Sequence, residues 1–214
     1  MILTGLLGGS FNPAHGGHRA ISLNAIEALD LDELWWLVSP GNPLKPAKGM
    51  APLSARLGSA QRAARRSPIR ATAIEAETGT RYTVDTLRKL VRRYPNRRFI
   101  WIMGADNLAQ LPRWRDWRGI ARLMPIAVVA RPGYNGRTHA AEAMGWLRRF
   151  VRPADQKSLW TDWRPPALVF LRFSPDVRSA TAIRQANPRW FESYAGRALR
   201  DPVTHSRLAM DEKE

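Results

Sequence analysis

Hydrophobic positions follow two alternating styles along the chain. Short, nearly continuous apolar runs cover residues 2–7, 33–38, 69–74, 99–103, 126–130 and 167–173. Runs of this length closed by Gly or Pro read as buried strands. The closers are Gly8-Gly9, Ser39-Pro40-Gly41-Asn42-Pro43, Gly104 and Arg131-Pro132-Gly133. Between the runs, apolar residues recur at helical spacing. Ile21, Ala25, Ala28 and Leu29 mark a helix over 20–29, a second spans 53–64, and Leu87, Leu90 and Val91 share a face of a third over 83–94. Strands separated by helix-length segments require right-handed crossovers. The expected fold is therefore α/β, with a doubly wound, mainly parallel sheet and helices on both faces. It fills one domain over 1–209, with a C-terminal helical portion from about 179 and a frayed tail at 210–214. The stretch 136–166 carries no readable motif.

Doubly wound, Rossmann-like sheets bind ligands beyond the carboxyl ends of their strands. The first such end reads Gly8-Gly9-Ser10-Phe11-Asn12-Pro13-Ala14-His15-Gly16-Gly17-His18 and runs into a helix. Paired glycines let backbone approach a phosphate, and a helix start offers free N–H groups and a positive dipole end. His15 and His18, three apart, share a face of a helical turn and can donate to phosphate oxygens as charge develops. A metal pair lacks a nearby third ligand. A purely structural turn leaves the clustering of Gly, Ser, Pro and His at one junction unexplained. A phosphate site is the best reading, and it is neither a Walker loop nor a G-x-G-x-x-G fingerprint.

Other strand ends carry candidates. Asp106 follows the run 99–103 and suits either ribose hydroxyls or a helix cap. Trp114 lies in a polar, basic, Pro-led stretch beside it, where an indole can stack on a flat heterocycle. Thr83 is placed to cap the helix 83–94, leaving amides, Val84 among them, for a carboxylate. Late in the chain Ser179 is a natural N-cap, and Arg184 offers a fork for two phosphate oxygens.

Charge supports anionic ligands without naming one. Lys plus Arg number 34 against 18 acids, a net +16. Only five of the bases are Lys, and they are dispersed, with pairs such as Arg65-Arg66 and Arg97-Arg98 but no block of five. A solvated, Arg-rich surface fits better than a dedicated nucleic-acid patch, so no specific nucleic acid is expected as partner. The chain has no Cys, which excludes disulfides, thiolate catalysis and Cys-ligated zinc. No apolar run reaches about 18 residues, so no membrane span is expected. No leader is read at the N-terminus, and a cytoplasmic setting is expected. Oligomeric state stays open, a homo-oligomer included.

His15-Gly16-Gly17-His18 resembles the H-x-G-H signature of the nucleotidyltransferase superfamily, and the longer stretch from Gly8 resembles bacterial nicotinate-nucleotide adenylyltransferases. Family members commonly carry Asp where this chain has Asn12. Ser179-Ala180-Thr181-Ala182-Ile183-Arg184 is similar to the superfamily's I-S-x-T-x-I-R motif, with Arg178 replacing the usual Ile. Further matches are Tyr82-Thr83-Val84-Asp85-Thr86-Leu87, Gly104-Ala105-Asp106, Pro112-Arg113-Trp114 and Ala130-Arg131-Pro132-Gly133-Tyr134. The resemblance implies AMP transfer from ATP to nicotinate mononucleotide, giving deamido-NAD and pyrophosphate, with Mg²⁺ carried on ATP. It implies His15, His18 and Arg184 as catalytic residues. ATP would meet Gly8, Gly9, Ser10, Phe11, Lys45, Ser179 and Thr181 as well. The mononucleotide would meet Thr83, Val84, Asp106, Trp114 and Arg131. For Lys45 the alternative is an exposed loop lysine. A related adenylyl- or cytidylyltransferase, acting on nicotinamide mononucleotide or phosphopantetheine, is the nearest alternative, and a basic nucleic-acid-binding protein is a more distant one.

Overall fold

Along the second strand, β2 (Glu33–Val38), every apolar side chain is buried but successive ones enter different cores. Leu34, Trp36 and Val38 join one cluster, and Trp35 and Leu37 join the other. A strand alternates its side chains between faces, so a sheet covered on both sides reads as one continuous apolar run. β4 (Arg97–Gly104) does the same: Phe99, Trp101 and Met103 face one core, Ile100 and Ile102 the other.

The computed structural model describes residues 1–41, 49–130, 142–173, 179–194 and 199–208. Its main sheet adds β1 (Ile2–Gly9), β3 (Ile69–Thr72), β5 (Ile126–Ala130) and β6 (Leu168–Arg172) in the order β3-β2-β1-β4-β5-β6, all parallel. Helices α1 (Gly16–Leu29) and α2 (Leu53–Ala63) cover one face. Helices α4 (Thr83–Arg93), α5 (Ala105–Gln110), α6 (Trp117–Leu123) and α7 (Met144–Leu147) cover the other, while α3 (Ile74–Thr78) follows β3. A 3₁₀ segment, Ala154–Asp162, lies against α1, where Trp160 Nε1 donates to Leu29 O at 2.8 Å. This is the doubly wound, Rossmann-like architecture expected from the pattern. Among the described residues no helix is long and apolar enough to cross a membrane.

Two boundaries differ from the pattern for physical reasons. The run 69–74 is strand only to Thr72. Buried Asp201 accepts from Thr72 Oγ1 and Ala73 N through Oδ2, which ends the ladder and lets Ile74 open a helix. The other oxygen, Oδ1, accepts from Val203 N and Thr204 N, so one carboxylate ties the chain's end to the sheet edge. The portion from 179 begins with α8 (Ala180–Ala186) but also holds an antiparallel pair, β7 (Leu199–Arg200) and β8 (Arg207–Leu208). It is therefore not wholly helical, and the tail at 210–214 lies outside the described residues.

Candidate active site

The strand order reverses between β1 and β4, and neighbouring crossovers leave opposite faces there, opening a crevice at their carboxyl ends. A cavity of about 420 Å³ occupies that position. Its walls come from the β1 end (Gly8 to Asn12), from His18, from Ser39 after β2, from Tyr82-Thr83, from Met103 to Asn107 and from Trp114.

The first loop is held in shape by packing and polar contacts. Gly8 has a specific reason: a Cβ there would lie 2.7 Å from the Trp101 ring. It makes room for an indole, and it also borders the cavity where the sequence suggests room for a phosphate. Phe11, at φ 45°, is 2% exposed and stacks on Trp36 at 5.0 Å. It borders the cavity but serves mainly as a floor for His18, whose ring lies 5.0 Å away. The Asn12 side chain donates to Gly49 O at 2.9 Å and accepts from Ala51 N at 3.3 Å. Both ends of the amide are used, and a carboxylate could not make the first bond.

His15 is the N-cap of α1 and His18 its third residue. His15 Nδ1 accepts from Gly17 N at 3.1 Å, and His18 Nδ1 accepts from His15 N at 3.2 Å. The two imidazoles thus form a reciprocal capping box usually built from Ser and Glu. With each Nδ1 accepting, the proton of a neutral ring sits on Nε2, so each can act as a donor there. The rings are 3.9 Å apart, centroid to centroid. Burial, reinforced by repulsion from His15, pushes the His18 pKa down to about 3. At neutral pH His18 is therefore an uncharged donor at the cavity wall.

Arg184 reaches this loop from 172 residues away, donating from Nη1 to Asn12 O at 2.7 Å and from Nη2 to Thr181 Oγ1 at 3.3 Å. The imidazoles and the late guanidinium are joined by one loop, and Ala180 of the same helix borders the cavity. Ser179 caps α8 as expected, its hydroxyl accepting from Ala182 N at 3.1 Å, so that oxygen is engaged.

At the other end of the cavity, Asp106 is the second residue of α5. The cap is Gly104, with no side-chain bond, so the capping alternative for Asp106 falls away. Trp114 is half-buried and meets Trp101 edge-on at 6.4 Å. Thr83 is not the cap of α4. Tyr82 takes that position because its carbonyl accepts from Asp85 N and Thr86 N, which makes Thr83 the first helical residue. The amides of Thr83 and Val84 have no acceptor within the helix. The Val84 side chain is 1% exposed and packs in the core, so only its backbone can face a ligand. Lys45 and Arg131 lie outside the described residues.

Two residues of this region escaped the sequence. Arg56, 1% exposed, donates to the carbonyls of Ala51, Ser10, Ser39 and Pro40, bolting the first loop to the end of β2. The one available signal was an Arg between Ala55 and Leu57 on an apolar helix face. Glu75 also borders the cavity. Nothing in Ile74-Glu75-Ala76-Glu77 distinguishes it from exposed Glu77, since only tertiary packing separates them.

Comparisons with known proteins agree with this geometry. The cytidylyltransferase-like family profile matches residues 6–186. A probable nicotinate-nucleotide adenylyltransferase of Erythrobacter litoralis is 64% identical over 204 residues, covering 95% of this chain and 93% of the relative. One from Parvibaculum lavamentivorans is 50% identical, covering 85% and 90%. A solved Plasmodium falciparum nicotinic acid mononucleotide adenylyltransferase complexed with NaAD superposes with TM-score 0.61 at 15% identity, covering 86% of this chain and 83% of that one, and supports the fold. The chain belongs to the cytidylyltransferase-like nucleotidyltransferases, among the nicotinate-nucleotide adenylyltransferases.

Proposed function

We propose that the protein transfers AMP from ATP to nicotinate mononucleotide, releasing pyrophosphate and forming deamido-NAD. The observation that carries this reading is the bond from Arg184 to Asn12 O, which draws the late guanidinium to the loop that carries His15 and His18. A phosphate oxygen of the mononucleotide attacks the α-phosphorus of ATP. The bond from that phosphorus to the bridging oxygen breaks, and pyrophosphate leaves with the electron pair. The attacking phosphate is already ionised, so neither a general base nor a protein nucleophile is needed. Positioning two polyanions and stabilising charge is the task.

In this reading the Nε2–H groups of His15 and His18 donate to the α-phosphate and bridging oxygens. The neutral state of His18 suits this task, because a donor that keeps its proton needs no reorganisation as charge develops. Arg184, pre-aimed by Asn12 and Thr181, holds the leaving pyrophosphate. The amides of Thr83 and Val84 at the start of α4 receive the ring carboxylate, Trp114 stacks on the ring, and Asp106 accepts from ribose hydroxyls. Mg²⁺ would arrive on the ATP phosphates and neutralise charge on the leaving group. The zero-Cys composition is in keeping with a cytoplasmic setting.

The test is product analysis by mass after mixing the protein with ATP, Mg²⁺ and each pyridine mononucleotide. Deamido-NAD and pyrophosphate in equal amounts are expected. Release of pyrophosphate with AMP but no dinucleotide would refute the reading.

A further inference from the structure

Glu75 borders the cavity beside Tyr82, Thr83 and Trp114, and the reaction above gives it no task. It is the second residue of α3, which packs against the end of β2 and against α4. Its carboxyl meets Ser39, the residue that follows β2, and lies 3.4 Å from Thr86 Oγ1. Thr86 lies on the first turn of α4, and its hydroxyl continues to Thr80 at 2.9 Å and on to Thr78 at 3.0 Å. Glu75 therefore ties the cavity wall to the helix whose free amides face the mononucleotide end. Among the described residues it has no ion-pair partner.

We propose that Glu75 is a charge-selecting and positioning residue of the mononucleotide end: its neutral carboxyl admits a ring bearing a carboxylate, and its ionised form opposes that ring. This rests on the functional reading above. An anion in a cavity of this size does not share the space with a second, unpaired anion at low cost. Burial, outweighing the hydrogen bonds from Ser39 and Thr86, raises the Glu75 pKa to about 7. The neutral and ionised forms thus interconvert near neutrality, and binding a carboxylated ring favours the neutral one.

The other charged groups around it do not replace this role. Arg81, Arg113, Arg115 and Asp106 border the same cavity, with His18 at its far wall. On α4, Asp85 pairs with Arg88 and Arg115, and Lys89 Nζ donates to Thr78 O. On α3 itself Glu77 pairs with Arg93. On β2 the single acid, Glu33, sits at the opposite end and pairs with Arg70 and Arg97.

The experiment compares the KM for nicotinate mononucleotide in wild type and Glu75→Gln from pH 5.5 to 8.5. Wild-type KM should rise about fivefold as pH passes through 7, with a much smaller rise in the variant and similar kcat. The substrate phosphate also titrates, but equally for both proteins, so it cancels in their ratio. Nicotinamide mononucleotide, added as a competing ligand, shares the phosphate and the pyridinium charge but lacks the ring carboxylate. Its inhibition constant should therefore not rise with pH in wild type relative to Glu75→Gln. Ser39→Ala removes a bond that favours the ionised form, so it should move the wild-type midpoint to higher pH. This variant keeps the test available if Glu75→Gln folds poorly. Thermal melts give an independent readout. A buried carboxyl with a raised pKa loses its stabilisation as pH rises from about 4.5 to about 7, and Glu75→Gln should remove that loss. Product formation with superimposable KM profiles in the two proteins would overturn this assignment alone. Absence of dinucleotide product at every pH would overturn the functional reading and this assignment with it.

Discussion

Replacing Arg56 by Met removes a buried guanidinium that organises three segments of the crevice. Its bonds run to Ala51 O at 2.8 Å, Ser10 O at 2.9 Å, Ser39 O at 2.6 Å and Pro40 O at 3.2 Å. Each hydrogen bond to a charged donor is worth about 1.5–3 kcal/mol, but the four share one side chain and are not additive. The variant regains some apolar packing, since Met follows much of the Arg stem. What remains is the desolvation cost of carbonyls left unpaired, and breaking buried charged constellations typically costs about 3–5 kcal/mol. For a chain of this length each kcal/mol moves Tm by about 2–4 °C, so a fall of about 6–20 °C is expected in a circular-dichroism melt. Below the melting range the Ser10 loop loses its anchor, and the KM for ATP should rise about tenfold. Arg56→Lys keeps the charge but loses the fork, and should fall between the two. A Met variant melting within about 2 °C of wild type, with unchanged KM, would refute this account of the loop.

Three further outcomes follow from the site. His18→Ala should lower kcat by about 10²-fold or more with a smaller change in ATP affinity, measured by steady-state pyrophosphate release. Near-normal turnover would remove His18 from the reaction. Trp114→Ala should raise the KM for the mononucleotide and leave that for ATP nearly unchanged, and the opposite pattern would exclude ring stacking. His18 is held neutral in the fold, while an unfolded imidazole protonates near pH 6.5. Its stabilisation is complete above that value and is lost as pH falls toward about 3, by at most about 1.4 kcal/mol per pH unit. Melts of wild type between pH 4 and 7 should therefore fall more steeply than those of His18→Gln, and parallel curves would contradict a His18 held neutral by burial.

The strands were legible because a sheet covered on both faces demands apolar side chains at every position, as Leu34 to Val38 show. The late Ser179-to-Arg184 helix was legible from its cap. The short helices α5 and α6 were not, since six or seven residues each within Ala105-to-Leu123 hold too little periodicity on either side of Pro112 and the charged residues Arg113, Arg115 and Asp116. His15 and His18 could be placed on one helical turn from spacing alone. Their pairing as mutual caps could not, because imidazole rarely plays that part and the usual capping box is Ser with Glu. Trp114 stood out by its polar surroundings and does border the cavity. Gly8 does border the cavity, but its packing against Trp101, 93 positions away, is a contact that no local reading links to it. Arg56 and Glu75 share that limit, since their partners Ser10, Ser39 and Thr86 come from other elements. Thr83 was misread by one position, since Tyr82 offers no side-chain signal as a cap.

In the proposed reaction AMP passes directly from ATP to the mononucleotide within one crevice, with no covalent enzyme intermediate. The most direct test is the stereochemical course at the α-phosphorus, using ATP made chiral there by sulfur substitution and nicotinate mononucleotide as acceptor. A single in-line displacement predicts inversion of configuration in the dinucleotide product. Retention would mean two displacements through a nucleophile of the protein, and would contradict the roles given to His15, His18 and Arg184.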